Sequence, residues 1–366
     1  MNLRTQLLSE TSKQWFRLLH AKVIVSKSVD PYFNLALEDF LYSNSKSPRS
    51  LIIYTNTPSV IIGRNQNPWV ESNVRKCRSN LINIIRRKSG GGTVFHDLGN
   101  VNYSLLTDRN EFSHTKGAEL IIKALQELNV GAELNQRHDI VLKETKQKIS
   151  GSAYKISKGK AYHHGTMLLK SDLGEISKYL KSSTNGIISK GVSSTRSQVG
   201  NVELARIDFM MEAILSFLRY DFARHSPKNN SSISRFNDLK SIDSIPEDSI
   251  MFVNSDDLTG VPHILRTMQE LKSWDWTFGQ TPFFQQFLTT KDLPIGDHMV
   301  ALNISVRHGI IENFSFSSSN DHLQQEIMNY PWKGMAYELG FVNSFTINNT
   351  PSSEALVVLD WVSKNI

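Results

Sequence analysis

The sequence has almost no cysteine. Its 366 residues include one, Cys77, which excludes an internal disulfide framework and a cysteine-rich zinc site. Long apolar runs are also missing. No stretch reaches the roughly 18 residues that a transmembrane helix needs, so no membrane span is expected. No polycationic tail is present either. Lys plus Arg number 41 against 35 acids, a formal charge of +6. So small an excess suits an anionic small substrate, an acidic partner or weak nucleic-acid affinity alike. Nucleic-acid binding would also want basic residues interleaved with aromatics on one face, and no such pattern occurs. Internal repeats are absent. Strand and helix signals do not alternate regularly, which disfavours a doubly wound parallel sheet. What remains, at 39% hydrophobic, is a soluble globular chain long enough for two domains.

The first 22 residues stand apart. Arg4, Lys13, Arg17 and Lys22 face a single acid, Glu10, and "QWFRLLHA" can form a short amphipathic helix. That composition suits an organellar targeting segment, with a frayed basic terminus as the plainer reading. Beyond it, "DPYFNLALEDFLYSN" reads as a helix with Asp30 as N-cap and Pro31 in the first turn. "LIIYTN" and "SVIIG" read as a strand pair joined by a turn, followed by strands at "INIIRR", "TVFH" and "VNYSLL". "AELIIKALQELNVG" is an amphipathic helix with Gly131 as its expected stop. "DIVLKE" pairs with "QKISGSAYKI", "YHHGTMLL" adds a strand, and "DFMMEAILSFLRY" a helix. The polar stretch 226–249 reads as a surface excursion. "VALNISV", "RHG" and "IIENFSF" make a hairpin with one buried face, and "EALVVLDWV" a last helix. The expectation is a large N-terminal α+β unit to about residue 270 and a small α+β unit after it.

Chemistry concentrates around "RRKSGGGTVFHD", residues 86–97. This is neither a Walker A loop nor a dinucleotide fingerprint, because no Gly-Lys-Ser/Thr follows and a strand rather than a helix comes next. Three glycines still let backbone amides approach a bulky anion, and Arg86, Arg87 and Lys88 place cationic donors beside them. A tight glycine turn has the same composition. Lys148 stands before small residues in "KISGSA", where a strand lysine can reach into a cavity or out to solvent. His163 and His164 should point to opposite faces of a strand, one lining a site and the other exposed. They diverge too far to be a zinc pair and lack a third ligand, so no metal site is expected from them. Asp139, before a strand, has the position of a turn acid.

In combination these pieces resemble the lipoate–protein ligase family, including its mitochondrial lipoyltransferase branch. The carrying motifs are "GRNQNPW" (63–69), "RRKSGGGTVFHDLGN" (86–100), "KISGSAYK" (148–155) and "YHHGTMLL" (162–169), extended by "SKGVSSTRSQVGN" and "SWDWTFGQTP". The resemblance covers nearly the whole chain from residue 23. It implies an α+β fold: a biotin/lipoate-ligase-type mixed β-sheet catalytic domain with flanking helices at 23–270, and a small C-terminal α+β accessory domain at 271–366. Residues 1–22 would be a mitochondrial targeting segment, with a cytoplasmic location as the alternative.

The implied chemistry has two steps. Lipoate's carboxylate attacks the α-phosphorus of ATP to give lipoyl-AMP, and an acceptor lysine then takes the lipoyl group. By the resemblance, Lys148 is the catalytic lysine that contacts the α-phosphate and the lipoyl carbonyl. Arg87 matches the nucleotide-binding arginine, and Gly92, Thr93, Val94 and Phe95 the backbone that lines the ATP site. Asp139 matches an acid near the nucleotide, acting by way of Mg²⁺. His164 and His96 are further site candidates. An apolar tunnel for the dithiolane tail is expected from "YTNTPSVIIG" and "GRNQNPW", with Trp69 equally suited to core or ligand contact. Cys77 lies outside every motif, which speaks against a cysteine-thioester octanoyltransferase.

The implied partners are lipoyl-domain acceptors, namely dehydrogenase E2 subunits and the glycine-cleavage H protein, met by a monomer without nucleic acid or membrane. The nearest rival is a transferase that takes lipoyl-AMP, octanoyl-CoA or an acylated carrier as donor. A non-catalytic binder is the rival of another class.

Overall fold

The computed structural model describes residues 16–47, 49–157, 159–225, 245, 249–258, 260–290, 299–338 and 351–365. Residues 1–15, most of the expected targeting segment, and nearly all of 226–249 lie outside them. Strands are numbered β1 to β16 in chain order. The main sheet has six strands in the order β10-β11-β6-β2-β1-β13. These are β1 (Val23–Ser26), β2 (Arg49–Tyr54), β6 (Asn100–Asp108), β10 (Ser152–Ile156), β11 (Lys160–Leu168) and β13 (Ile250–Val253). β1 runs parallel to both β2 and β13, and the remaining pairs are antiparallel.

The near-continuous apolar run in β2 has a simple cause: both faces of this sheet are covered. Val23, Val25, Leu51, Ile53 and Leu105 pack under the Lys116–Glu127 and Arg206–His225 helices through Ala118, Ile121, Leu125, Phe209 and Leu218. The alternate residues Ile24, Ile52 and Leu106 meet the Pro31–Asn44 and Pro262–Lys272 helices through Phe33, Leu37, Leu41 and Ile264. Leu18 and Ala21, close to the N-terminus, are buried in this second layer, and Lys22 pairs with Asp221 at 2.8 Å.

Two small sheets sit beside the main one. One has the order β4-β3-β5, from β3 (Ser59–Ile62), β4 (Asn83–Arg86) and β5 (Val94–His96). The other has the order β7-β8-β9, from β7 (Ala132–Leu134), β8 (Ile140–Leu142) and β9 (Lys148–Ser150). A four-stranded sheet, β12-β14-β15-β16, uses β12 (Ile187–Ser189), β14 (Phe284–Thr290), β15 (Val300–Arg307) and β16 (Ile310–Ser318), with the Asp321–Met328 and Ser353–Asn365 helices beside it.

Several expectations hold. Asp30 caps its helix by accepting from the Tyr32 amide at 2.8 Å. β8 pairs with β9, and β15 with β16 through a two-residue turn at His308 and Gly309, both at positive φ. Two expectations need correction. β2 and β3 do not pair. β2 lies between β1 and β6 while β3 lies between β4 and β5, and the linker is pinned by the buried Asn34 amide on Thr55 O (3.2 Å) and Asn56 Oδ1 (2.8 Å). Gly131 is not the helix stop. The Lys116–Glu127 helix closes through Asn129 at φ 59, with the Val130 amide returning to Leu125 O at 2.8 Å. Asparagine is the common non-glycine residue at that left-handed cap.

Candidate active site

β3, β4 and β5 hold the glycine run like a clasp. β4 ends on Arg86 with Arg87 next, its amide on Ile62 O at 3.0 Å, the loop passes residues 90–92, and β5 takes up Val94. Gly91 has φ +82, and a Cβ there would lie 2.9 Å from both Ala153 Cβ and Arg87 Nη2. A Cβ on Gly63 would lie 2.1 Å from Gly91 O, so this turn is packed against bare backbone on that side too.

Arg87 is the electrostatic centre of the clasp. Its guanidinium donates to Ser89 Oγ (2.9 Å), Ile61 O (3.1 Å), Gly90 O (2.5 Å) and Gly92 O (2.8 Å). Burial lowers its pKa to about 10, which still leaves it cationic at neutral pH. The loop's outer edge is tied by Gln66, fully buried. Gln66 Oε1 accepts from the Gly63 amide and Thr93 Oγ1, both at 2.8 Å, and Nε2 donates to Ser194 Oγ at 2.9 Å. Ser194 Oγ also accepts from the Thr93 amide at 2.9 Å, so residues 192–195 are held against the glycine loop.

Lys148 begins β9. Its backbone is fixed on both sides, N–H to Gln198 O at 2.9 Å and carbonyl from the Gly200 amide at 3.0 Å. Its ammonium meets Asp139 Oδ1 at 2.7 Å. Asp139 is also 3.5 Å from Arg137 Nη2 and accepts weakly from Asn135 Nδ2 at 3.4 Å, so one carboxylate gathers two cations at the rim.

Two cavities share a wall here. Thr93, Val94, Lys148, Gly151, Thr166 and Ser194 border both. The smaller, about 220 Å³, ends on Leu35, Tyr54 and Ile61 and includes Arg87, Asp139 and His164. The larger, about 500 Å³, is apolar along Val70, Phe95, Leu168, Ile176 and Leu180, with Lys181 and Arg196 at its edge. Lys148 stands at the junction. The residues that the family resemblance assigns to the site line one or both: Lys148, Thr93 and Val94 both; Arg87, Gly92, Asp139 and His164 the smaller; Phe95 the larger.

His96 also borders the smaller cavity. It is bonded through Nδ1 to Asn56 Nδ2 at 2.9 Å, and burial together with nearby Arg87 and His164 pushes its pKa down to about 3, so it is neutral.

Other candidates lie away from these cavities. Arg86 borders neither cavity. Its guanidinium is buried against Gly63 O, Arg64 O, Gln66 O, Trp276 O, Thr277 O and Thr281 Oγ1, because neighbours on a strand point to opposite faces. Lys88 turns away to Glu270 at 2.5 Å and over the Trp276 ring. Trp69 is core: it is fully buried among Phe278, Phe284 and Tyr337, and no residue of 63–69 borders the smaller cavity. Of the histidine pair, neither is exposed. His163 packs on Tyr154 and Tyr103, and its pKa falls to about 3 through burial.

The comparisons with known proteins agree with one another. The sequence model of the lipoyl protein ligase A/B catalytic domain matches residues 30–220. The chain belongs to the lipoyl protein ligase A/B family. A Schizosaccharomyces pombe protein provisionally named lipoate-protein ligase A is 53% identical over 359 residues, 98% of this chain and 97% of that protein. The crystal structure of P. falciparum LipL1 in complex with lipoate superposes with a TM-score of 0.57 at 25% identity, covering 93% of this chain and 99% of that one. A bipartite lipoate protein ligase from Thermoplasma acidophilum, described with its E2 lipoyl domain, shares the fold at a TM-score of 0.52 and 20% identity, covering 70% of this chain and 96% of that one. The mixed-sheet α+β ligase fold expected from the motifs is the fold observed.

Gln66, Ser194 and Glu38 help build the walls around these cavities without standing out in the sequence. Gln66 and Ser194 lay inside quoted motifs, but nothing in a linear sequence shows that they bond to each other across 128 positions. Glu38 was legible only as an acid within the apolar helix run "NLALEDFL", and it is 2% exposed. Among the described residues no group of three His, Cys, Asp or Glu is placed to hold a metal.

Proposed function

We propose that this enzyme activates lipoate with ATP and transfers the lipoyl group to a lysine of an acceptor protein. One observation carries the reading: Lys148 stands where two cavities of different size meet, and the same walls include Thr93 and Val94 after the glycine run. The smaller cavity, closed by Leu35, Tyr54 and Ile61, takes the acyl chain. The larger, apolar along Phe95 and Ile176, takes the adenosine. Their junction is then where carboxylate and α-phosphate meet.

The chemistry follows from charge. A carboxylate oxygen attacks the α-phosphorus, the α–β bridging P–O bond breaks, and pyrophosphate leaves. Both reactants are anions, so cations must face them. Lys148 and Arg87 are those cations. In the second step the neutral acceptor amine attacks the lipoyl carbonyl carbon, the C–O bond to phosphate breaks, AMP leaves and the nitrogen loses a proton. Charge accumulates on the carbonyl oxygen and then on AMP, and a preorganised ammonium at the junction opposes both. Gly92 to Phe95 offer main chain to the nucleotide.

A Mg²⁺ carried mainly by the phosphates would have Asp139 as the carboxylate of the smaller cavity, where it already pairs with Lys148 and Arg137. It would screen phosphate charge. The acceptors are E2 subunits of 2-oxoacid dehydrogenases and the glycine-cleavage H protein. The basic, serine- and threonine-containing segment before Leu18 supports a mitochondrial location.

The test offers purified protein an apo-acceptor with lipoate plus ATP, with lipoyl-AMP, or with octanoyl-CoA. Lipoylation and pyrophosphate release in the first arm are expected. Transfer from lipoyl-AMP alone would convert the enzyme to a transferase without activation, and inactivity in all three would end the reading.

A further inference from the structure

Four buried side chains run in a line from the cation of the smaller cavity into the protein. Arg87 Nε donates to Ser89 Oγ at 2.9 Å. Ser89 Oγ lies 2.8 Å from His164 Nε2, and His164 Nδ1 lies 3.0 Å from both carboxylate oxygens of Glu38. All four are at most 8% exposed. A carboxylate only accepts, so Nδ1 carries a proton and donates to Glu38. Nε2 and the Ser89 hydroxyl share the next bond. The Ser89 oxygen keeps a lone pair for the Arg87 Nε–H.

The order Glu38, His164, Ser89 resembles a hydrolase triad, but the geometry denies it that role. Ser89 is 1% exposed, borders neither cavity, and has its oxygen engaged by Arg87. No substrate carbonyl reaches it. The relay ends on the guanidinium instead. Of the five N–H groups of Arg87, the bonds to Ser89, Ile61, Gly90 and Gly92 engage four among the described residues, leaving one on Nη1. Two of those bonds go to carbonyls of the glycine run, so the orientation of the guanidinium and the shape of the loop are set together.

We propose that Glu38 is a positioning residue for lipoate activation. Acting through His164 and Ser89, it holds the plane of Arg87 so that the remaining N–H serves the reacting carboxylate and phosphate while the glycine run stays closed on Nη2. Glu38 borders neither cavity. It supplies a fixed negative end to a line whose positive end is the site. The inference rests on the ligase reading above and names a role for the helix acid within it.

The experiment is a double-mutant cycle read by lipoate-dependent ATP–pyrophosphate exchange. Wild type, Glu38→Gln, Arg87→Lys and the double variant are compared, with thermal melting as the folding control. Glu38→Gln is expected to lower kcat about 10- to 100-fold, with KM for lipoate and ATP changed less than about threefold. In the Arg87→Lys background, where the fork is already lost, the same change should cost less than about threefold. Ser89→Ala should show the same non-additivity, and it carries the test if Glu38→Gln does not fold. Losses that multiply independently, or a wild-type rate in Glu38→Gln, overturn the proposal and leave the ligase reading intact. No exchange in wild type would sink the ligase reading instead.

Discussion

Replacing Lys148 by methionine keeps the length of the side chain and removes the charge, so two costs can be separated. The Lys148–Asp139 pair is 2.7 Å long, with side chains 23% and 13% exposed. A pair this close to solvent contributes at most about 1 kcal/mol. Asp139 is not stranded by the change, because Asn135 and Arg137 remain beside it. The melting temperature should therefore fall by about 2 °C. Catalysis should suffer far more. Removing one preorganised donor costs about 3 kcal/mol of transition-state stabilisation, or about 100- to 1,000-fold in kcat. Because the ammonium stands at the junction of both cavities, two separate assays should fall together: lipoate-dependent ATP–pyrophosphate exchange, and transfer from preformed lipoyl-AMP to an apo-acceptor. A folded Lys148→Met protein that loses less than about fivefold in both assays would refute the assignment.

Three further outcomes follow from particular contacts. Gly91→Ala forces a side chain into a left-handed backbone and to 2.9 Å from Ala153 Cβ, so urea unfolding should show a loss of about 1–3 kcal/mol together with loss of activity. His96 and His163 have pKa values near 3 against an ordinary 6.5, so the unfolded chain binds more protons between those values. Stability should be complete above about pH 6.5 and fall as the pH drops toward 3, by up to about 1.4 kcal/mol per pH unit for each ring. His163 has no hydrogen-bond partner on either ring nitrogen, so His163→Phe should fold and flatten that acid slope in pH-dependent urea melts. Cys77 is buried, with burial pushing its thiol up to about 12, so iodoacetamide at pH 8 should leave the native protein unmodified and Cys77→Ala should leave acyl transfer unchanged.

Much of the site was legible because its parts are local. Three adjacent glycines announce a backbone that must come close to something, and structure shows Gly91 against Ala153 and Arg87. Lys148 beside small residues announces room for a long side chain, and it stands between two cavities. Elements were legible for the same reason: Asp30 and Pro31 mark a helix start by their own chemistry. Pairing was not. "LIIY" and "SVII" look like two halves of a hairpin, yet each is buried on both sides and needs partners from elsewhere in the chain, which the short linker cannot reveal.

The sequence by itself determined the family, the class of chemistry, and the glycine, lysine and arginine residues proposed to serve it, because motif spacing and backbone freedom are properties of neighbouring residues. Tertiary structure decided which cation reaches the cavity. Arg86 and Arg87 are adjacent, and strand alternation sends one into carbonyls from Trp276 and Thr277 and the other to the cavity. Which face is the site depends on β3 lying between β4 and β5, and on Glu38 arriving from a helix far away in sequence to anchor His164. Those are long-range pairings, and only the folded chain contains them.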